Sequence, residues 1–340
     1  MVHLVQLSNG AARRVAVVEE PHLRCIEGAS SVYELLCALP AAEAAFSRMV
    51  LSRATGEVLD YDPIYLGQSD WRLLPPVDVP ARPRRCMISG TGLTHLGSAC
   101  DRQAMHRAAA ETPRAAAEMT DSMRMFVLGV EGGKPPSGKI GVAPEWFYKG
   151  DGSMVRAHLE SLVVPGYGED GGEEAEVAGV YFIGSDGAPR RVGLCAGNEF
   201  SDHKFEKRNY LNLAGSKLRT CSLGPELVVG APFGAITGNV SIERAGATLW
   251  EKTLETGEEN MAHSLANLEH HHFKFEAHRQ PGDLHVHFYG AHALSVGDKL
   301  ELADGDWMTI RFDGLGRPLR NPLVYAGGDS ASPVRVVPLD

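Results

Sequence analysis

Three acidic residues in one stretch of the chain have the types and the spacing of a metal site. Glu174 and Glu176 lie two residues apart in an alternating run rich in β-branched residues, which predicts a β-strand. Because successive side chains of a strand point to opposite faces, both carboxylates are predicted on the same face. The dipeptide Asp186-Gly187 signals a hairpin turn, and the returning strand is predicted to bring Glu199 close to the pair.

Carboxylate oxygens are the hard ligands that Mg²⁺ and Mn²⁺ prefer, and three of them leave coordination positions open for water and substrate. The alternative is that the two alternating glutamates belong to a solvated strand face. For a Glu-x-Glu pair taken alone, that alternative is the commoner situation, so the metal site depends on what surrounds the pair.

Four motifs supply that context, and they occur in a fixed order along the chain. They are Glu174-Ala175-Glu176-Val177 with Phe182-Ile183-Gly184 at its end, Asn198-Glu199-Phe200-Ser201, Gly224-Pro225, and Gly316-Arg317-Pro318-Leu319-Arg320-Asn321. Together they resemble the fumarylacetoacetate hydrolase superfamily, over roughly residues 85–325. The resemblance implies that Glu174, Glu176 and Glu199 bind Mg²⁺ or Mn²⁺. Glu199 departs from the family pattern, which usually has Asp at that position.

The same resemblance implies the fold class, which is α+β and β-rich, with a mixed β-roll catalytic domain. The proline-rich residues 74–83 predict a domain boundary, because proline fixes the backbone and cannot join a central strand. We therefore expect a small N-terminal α/β domain over residues 1–75 and the catalytic domain over residues 76–340. The alanine-rich, helical stretch of about residues 96–138 is predicted to be a mobile lid.

Four residues are candidates for acid–base catalysis. Lys149 follows a Pro-x-x-Phe-like segment that resembles a family segment with a substrate-facing lysine. Lys217 lies near the position of a family lysine that precedes the Gly-Pro turn, and Glu206 lies where many members have Gln. His95 ends a strand next to the glycine-rich 90–92 segment, and a loop histidine without a catalytic role is the alternative. The catalytic His–Glu pair of hydrolytic family members is replaced by Ser98 and Asp101.

The resemblance also suggests which residues contact the substrate. Arg219 is a cation available for a carboxylate or hydroxyl group, and His292 follows a position where relatives have a carboxylate-binding Thr. The predicted substrate-binding set is Thr94, Arg219, Asn198, His203 and His292. A further run, 270–272, holds three adjacent histidines that cannot share one face, and it is predicted to be a polar surface run.

The branch that this chain resembles acts on 2-keto-3-deoxy sugar acids. It implies a Mg²⁺-dependent dehydratase, a lyase of pentose or other sugar-acid catabolism, converting for example 2-keto-3-deoxypentonate (arabinonate) to 2,5-dioxopentanoate. Three alternatives stay open. They are a C–C bond hydrolase of a 2,4-diketo-3-deoxy sugar acid or acylpyruvate, a 2-oxo acid decarboxylase, and a binding module without catalysis.

Composition limits the possible partners. The formal net charge of −10 over 340 residues, without a block of Lys and Arg, argues against nucleic acid. No apolar run approaches the roughly 20 residues of a membrane span. The six scattered cysteines favour a reducing, cytoplasmic location. The expected partner is a small 2-oxo sugar acid, and the resemblance implies a homodimer.

Overall fold

The chain is described by a computed structural model that covers residues 1–39, 46–108, 119–327 and 333–339. With 24% helix and 34% strand it has the predicted β-rich α+β class. The α-helices of the described residues are α1 (Val32–Cys37), α2 (Phe46–Arg53), α3 (Tyr61–Tyr65), α4 (Leu96–Ala108), α5 (Asp121–Gly132), α6 (His203–Arg208), α7 (Leu213–Lys217) and α8 (Leu265–Phe273). None of them is long and apolar enough to cross a lipid bilayer.

Most strands of the described residues belong to one large mixed sheet. Its strands are β1 (Val2–Ser8), β2 (Arg13–Glu19), β3 (His22–Cys25), β4 (Val58–Asp60), β5 (Arg72–Leu73), β6 (Cys86–Gly92), β7 (Glu145–Asp151), β8 (Val155–Arg156), β10 (Ala175–Ile183), β11 (Pro189–Asn198), β12 (Cys221–Leu223), β13 (Leu227–Val229) and β16 (Leu284–Phe288), where β9 belongs to the second sheet. The main order is β4-β3-β2-β1-β13-β11-β10-β16-β6-β7. The two strands that flank the predicted glutamate site, β10 and β11, therefore lie in the interior of the sheet.

A second, smaller sheet packs nearby. It contains β9 (Leu162–Val164), β14 (Ile236–Arg244), β15 (Ala247–Thr256), β17 (Trp307–Phe312) and β18 (Leu319–Tyr325), in the order β15-β14-β17-β18-β9. Its Val240 and Ile310 share a buried apolar cluster with Val177 and Tyr181 of β10. The other face of β10 contributes Val180 to a different core cluster. Both faces of β10 are thus covered, and every residue of this strand is buried.

The β10–β11 hairpin is the element that positions the acidic residues. The two strands pair antiparallel, with Ala175 opposite Asn198 and Ile183 opposite Pro189. Gly187 has a φ of +76°, a left-handed conformation that glycine adopts without strain, which explains the Asp-Gly turn signal. The hairpin predicted from the sequence is confirmed.

The N-terminal residues share the large sheet with the rest of the chain. Strand β1 pairs with β13, with Val2 opposite Val229, and Leu4 lies in the same apolar cluster as Val180. The sheet is therefore continuous across the boundary predicted at residue 76, and the division into two domains stays a prediction.

The predicted lid comprises α4, α5 and the chain around them. Residues 109–118, which join the two helices, lie outside the described residues. Where it is described, the segment packs through a small apolar cluster that contains Ala99, Met123 and Phe126. Its mobility stays a prediction.

Candidate active site

The three predicted glutamates lie together at one end of the hairpin. Glu174 comes just before β10, Glu176 lies within it, and Glu199 follows β11. The backbone N–H of Glu199 donates to the Glu174 carbonyl oxygen at 2.9 Å, which extends the pairing of the strands by one step. One carboxylate oxygen from each residue lies within 4.8 Å of the others. All three side chains are buried, so the solvated-strand alternative is wrong.

Neighbouring groups hold the carboxylates in this arrangement. The Asn198 side chain accepts a hydrogen bond from the Glu174 backbone N–H at 3.1 Å. The Gly290 N–H donates to Glu176 Oε2 at 2.6 Å, and Ser201 Oγ donates to Glu199 Oε2 at 3.1 Å. Asn198, predicted to bind substrate, instead supports a backbone group beside the site.

Two buried lysines provide positive charge. Lys217 Nζ lies 2.5 Å from Glu174 Oε1 and 2.6 Å from Glu199 Oε2, and it bridges these two carboxylates. Lys149 Nζ lies 2.7 Å from Glu199 Oε1 and donates hydrogen bonds to the backbone oxygens of Glu199 and Phe200. Both predicted lysines therefore contact the glutamate cluster.

The pKa values of Glu174 and Glu176 are shifted in opposite directions, because, in the part of the chain that the structure describes, positively charged groups pair with Glu174 but not with Glu176. Burial raises the pKa of Glu176 well above its usual range, and the adjacent Glu199 and Glu174 carboxylates add to the effect. Burial opposes the ionisation of Glu174 too, but Lys217 and His203 outweigh it and hold the pKa of Glu174 well below its usual range. Among the described residues, no lysine, arginine or histidine forms a salt bridge with Glu176.

This donor set fits a divalent cation. The three side chains offer only carboxylate oxygens, which suit Mg²⁺ or Mn²⁺. A divalent charge would relieve the repulsion that raises the pKa of Glu176. Glu174, Glu176 and Glu199 are the residues that would hold the ion, and their role as ligands stays a prediction.

His203 and Glu206, both on the short helix α6, lie next to the cluster. His203 Nε2 is 3.1 Å from Glu174 Oε1, so the predicted substrate ligand contacts a glutamate directly. Glu206 lies near Lys217, and its negative charge adds to those of Glu174 and Glu199 in raising the pKa of Lys217 against the effect of burial. Glu206 itself pairs with Arg102 at 2.9 Å.

Four other predicted residues do not reach the glutamates. His95 is buried, and its two ring nitrogens lie 2.9 Å from Thr94 Oγ1 and 3.0 Å from Thr256 Oγ1. Burial lowers the pKa of His95 to about 3, which keeps the ring neutral. Thr94 donates to the Tyr289 carbonyl oxygen, and His292 bonds to the Glu255 carbonyl oxygen. His95 and His292 thus contact the end of β15, and Thr94 contacts the backbone just after β16.

Arg219 is the fourth of these residues. Its guanidinium donates to Asp202 Oδ2 at 2.6 Å and to the Asp170 carbonyl oxygen at 2.5 Å. These contacts use two of the five N–H donors of the guanidinium, and the predicted substrate contact of Arg219 stays a prediction.

Sequence reasoning missed three charged residues around the site, of which Glu173 is buried and Arg102 and Glu145 are largely shielded from solvent. Arg102 of α4 pairs with Glu145 at 2.8 Å as well as with Glu206. Glu173 accepts hydrogen bonds from the N–H and hydroxyl of Ser295, at 2.7 and 2.6 Å, and so ties the loop after Gly290 to the start of β10. The sequence signal for Glu173 was its position next to Glu174. Two adjacent acidic residues do not show which of the two side chains faces the glutamate cluster.

The histidine run of residues 270–272 was predicted to lie on the surface, and this prediction is wrong for two of its three residues. His271 and His272 are buried, and His272 packs among His278, His285 and His287, with ring centroids 4.5–5.0 Å away. The cause is that α8 lies over β16, which brings three separate segments together. Among the described residues, only Glu174, Glu176 and Glu199 form a group with metal-ligand spacing, so these imidazoles do not.

No family model and no curated protein sequence matches the chain. Solved structures do match. A 2-keto-3-deoxy-D-arabinonate dehydratase complexed with magnesium and 2,5-dioxopentanoate superimposes with a TM-score of 0.68 at 17% identity, over 95% of this chain and 99% of that one. A hexagonal crystal form of 2-keto-3-deoxyarabinonate dehydratase gives 0.69 at 16% identity, over 96% and 100%.

Isomerases share the same fold. The 2-hydroxyhepta-2,4-diene-1,7-dioate isomerase from Mycobacterium marinum superimposes with a TM-score of 0.57 at 16% identity, over 96% of this chain and 100% of that one. These neighbours match nearly the whole chain, and they confirm the fold predicted from the motifs. At these identities the likeness concerns the fold, and activity is a separate question.

Proposed function

We propose that the chain is a Mg²⁺- or Mn²⁺-dependent dehydratase of a 2-keto-3-deoxy sugar acid, such as the conversion of 2-keto-3-deoxypentonate (arabinonate) to 2,5-dioxopentanoate. The observation that carries the proposal is the buried meeting of Glu174, Glu176 and Glu199 within 4.8 Å, with Lys217 between two of them. The magnesium and 2,5-dioxopentanoate bound to a protein of the same fold support it.

Dehydration needs a group that removes the proton from carbon 3 and a group that protonates the leaving hydroxyl of carbon 4. When bound, a divalent ion supplies positive charge that makes the carbon 3 proton more acidic. We assign proton removal to Glu206, whose carboxylate Arg102 holds at 2.9 Å, at the edge of the cluster. Loss of water leaves a double bond between carbons 3 and 4. Removal of a proton from carbon 5 and protonation of carbon 3 then give an enol between carbons 4 and 5, which becomes the aldehyde when carbon 4 takes a proton and the enol oxygen loses its own.

Lys217 is suited to stabilise negative charge. Burial opposes its charge, but Glu174, Glu199 and Glu206 raise its pKa, so the ammonium group is kept protonated. Because a raised pKa makes it a weak acid, its role is to offer positive charge to an enolate oxygen, and the leaving hydroxyl takes its proton from another group. Lys149 differs, because burial lowers its pKa, and its contacts with Glu199 and two backbone oxygens make it a residue that positions Glu199.

The test is a substrate panel with product identification. Purified protein and Mg²⁺ are incubated with 2-keto-3-deoxy and 2,4-diketo-3-deoxy sugar acids, with EDTA-treated protein in parallel. We expect a semialdehyde product that depends on the metal and is lost in Glu174→Ala. Pyruvate with a hydroxy acid would identify a C–C hydrolase instead, and release of CO₂ a decarboxylase. Metal-independent turnover would refute the proposal.

A further inference from the structure

A cavity of about 390 Å³ opens beside the glutamate cluster, between the lid helices and α6–α7. Its walls include Arg102 of α4, Glu145 at the start of β7 and Glu206 of α6, with Asp121 of α5 among the lining residues. These four are the charged residues of its lining among the described residues. The described part of the lining therefore has one basic side chain and three acidic ones.

The single basic group is already shared by two of the acids. Arg102 donates to both carboxylate oxygens of Glu145, at 2.9 and 2.8 Å, and lies 2.9 Å from Glu206. The side chains of Arg102, Glu145 and Glu206 are 11%, 15% and 4% exposed, so solvent screens these charges weakly. One guanidinium with two carboxylates leaves the inner wall with a net negative charge.

This wall lies next to the glutamate cluster. The charges of Glu206 and Arg102 both act on Lys217, and the charge of Glu174 acts on Arg102, so the groups are close neighbours. A second cavity, of about 180 Å³, is lined by His203, by three lysines (Lys204, Lys207 and Lys299) and by two acidic residues (Asp170 and Glu301). The larger, acidic cavity has more room for the tail of a ligand whose 2-oxo acid end is at the glutamates.

We propose that Glu145 and Glu206, held by Arg102, make the site selective for 2-oxo acids with an uncharged, hydroxylated tail and reject those with a second carboxylate. The inference rests on the proposed function, because it assumes that a 2-oxo acid binds at the glutamates. Hydroxyl groups can donate hydrogen bonds to the two carboxylates, which only accept. A second carboxylate would meet an uncompensated like charge on side chains that are largely shielded from solvent.

The experiment compares two ligands that differ only at the tail. These are 5-hydroxy-2-oxopentanoate, which lacks the carbon 4 hydroxyl and cannot be dehydrated, and 2-oxoglutarate, which ends in a carboxylate. Both are titrated calorimetrically into the full chain with Mg²⁺. We expect the hydroxy acid to bind at least about tenfold more tightly, the effect of one unpaired charge at a distance near 8 Å and an effective dielectric constant near 30.

Two variants locate the cause of the selectivity. Glu145→Gln removes one negative charge from the wall and should reduce the affinity ratio severalfold or more. Lys207→Gln changes the charge of the second cavity by the same amount and should leave the ratio unchanged. The wild-type comparison does not depend on the folding of either variant.

The outcomes distinguish a failure of the proposed selectivity from a failure of the proposed function. Equal or tighter binding of 2-oxoglutarate overturns the selectivity and leaves the metal-dependent 2-oxo acid site standing. A ratio that is the same in wild type and in folded Glu145→Gln also overturns it. If neither ligand binds in the presence of Mg²⁺, the proposed function fails, and the selectivity fails with it.

Discussion

Replacing Lys217 tests the electrostatic description of the glutamate cluster most directly. Lys217→Met keeps the length and much of the volume of the side chain but removes the ammonium group that bridges Glu174 and Glu199. Removing one partner of a buried ion pair typically costs about 3–5 kcal/mol of unfolding free energy, because the remaining charge is left buried and unpaired. We expect a loss in that range for the metal-free protein.

The same substitution should strengthen metal binding. The ammonium group and a divalent ion use the same two carboxylates, so they compete for them. Two unit charges 4 Å apart interact by about 4 kcal/mol at an effective dielectric constant of 20, and relief of one third of that repulsion increases affinity about tenfold. Mg²⁺ or Mn²⁺ at 100 times its dissociation constant should then restore about 2.7 kcal/mol of stability.

The assay combines urea unfolding with and without Mg²⁺ and calorimetric titration of the metal. Lys204→Met is the matched control, because Lys204 is exposed and, in the described part of the chain, its salt bridge is with the exposed Glu301, so neither stability nor metal affinity should change appreciably. Metal binding that is unchanged or weaker in Lys217→Met would refute the reasoning. So would a metal-free Lys217→Met protein as stable as wild type.

Three further outcomes are expected. Glu176→Gln should leave the metal-free protein at least as stable as wild type, because it removes a carboxylate that is buried and repelled by its neighbours. The increase in melting temperature that Mg²⁺ causes should disappear in this variant. A retained increase would contradict the assignment of Glu176 as a metal ligand. Burial and neighbouring imidazoles lower the pKa of His272 far below normal and those of His285 and His287 to about 3. Below pH 6.5 the unfolded chain therefore binds protons that the folded chain does not. The unfolding free energy should fall from pH 6.5 toward pH 3 by up to roughly 1.4 kcal/mol per histidine and pH unit. Urea titrations at pH 7 and pH 5 measure this, with exposed His270→Asn as the control that leaves the slope unchanged. Light scattering should give the mass of a homodimer, and a monomer would contradict that expectation.

Local pattern was sufficient for the hairpin that carries the glutamates. The alternation of Glu174 and Glu176, the Asp-Gly turn and the position of Glu199 are features of about 25 consecutive residues. A strand shows two-residue periodicity, and the turn sets the register, so the positions of both strands follow from the sequence. The order of the family-like motifs indicated the fold, which the structural neighbours confirm.

Contacts between distant segments could not be read in the same way. Arg102 meets Glu145 and Glu206 across more than 40 and 100 residues of chain, and Glu173 meets Ser295 across 122. His95 reads as a site residue at the end of a strand, yet its ring nitrogens bond to Thr94 and Thr256. Each of these outcomes depends on which helix covers which part of the sheet.

The sequence by itself therefore determined the hairpin and the positions of its acidic residues, because strand periodicity and turn chemistry act between near neighbours. The class of fold was implied by the resemblance of the motifs to a known family. Only the tertiary structure decided which charges compensate one another in the interior. A buried charge must find its partner wherever the folded chain brings one within hydrogen-bond distance, and that distance bears no relation to separation along the sequence. For this reason the glutamates were predictable, and the arginine and lysine contacts that define their electrostatic surroundings were not.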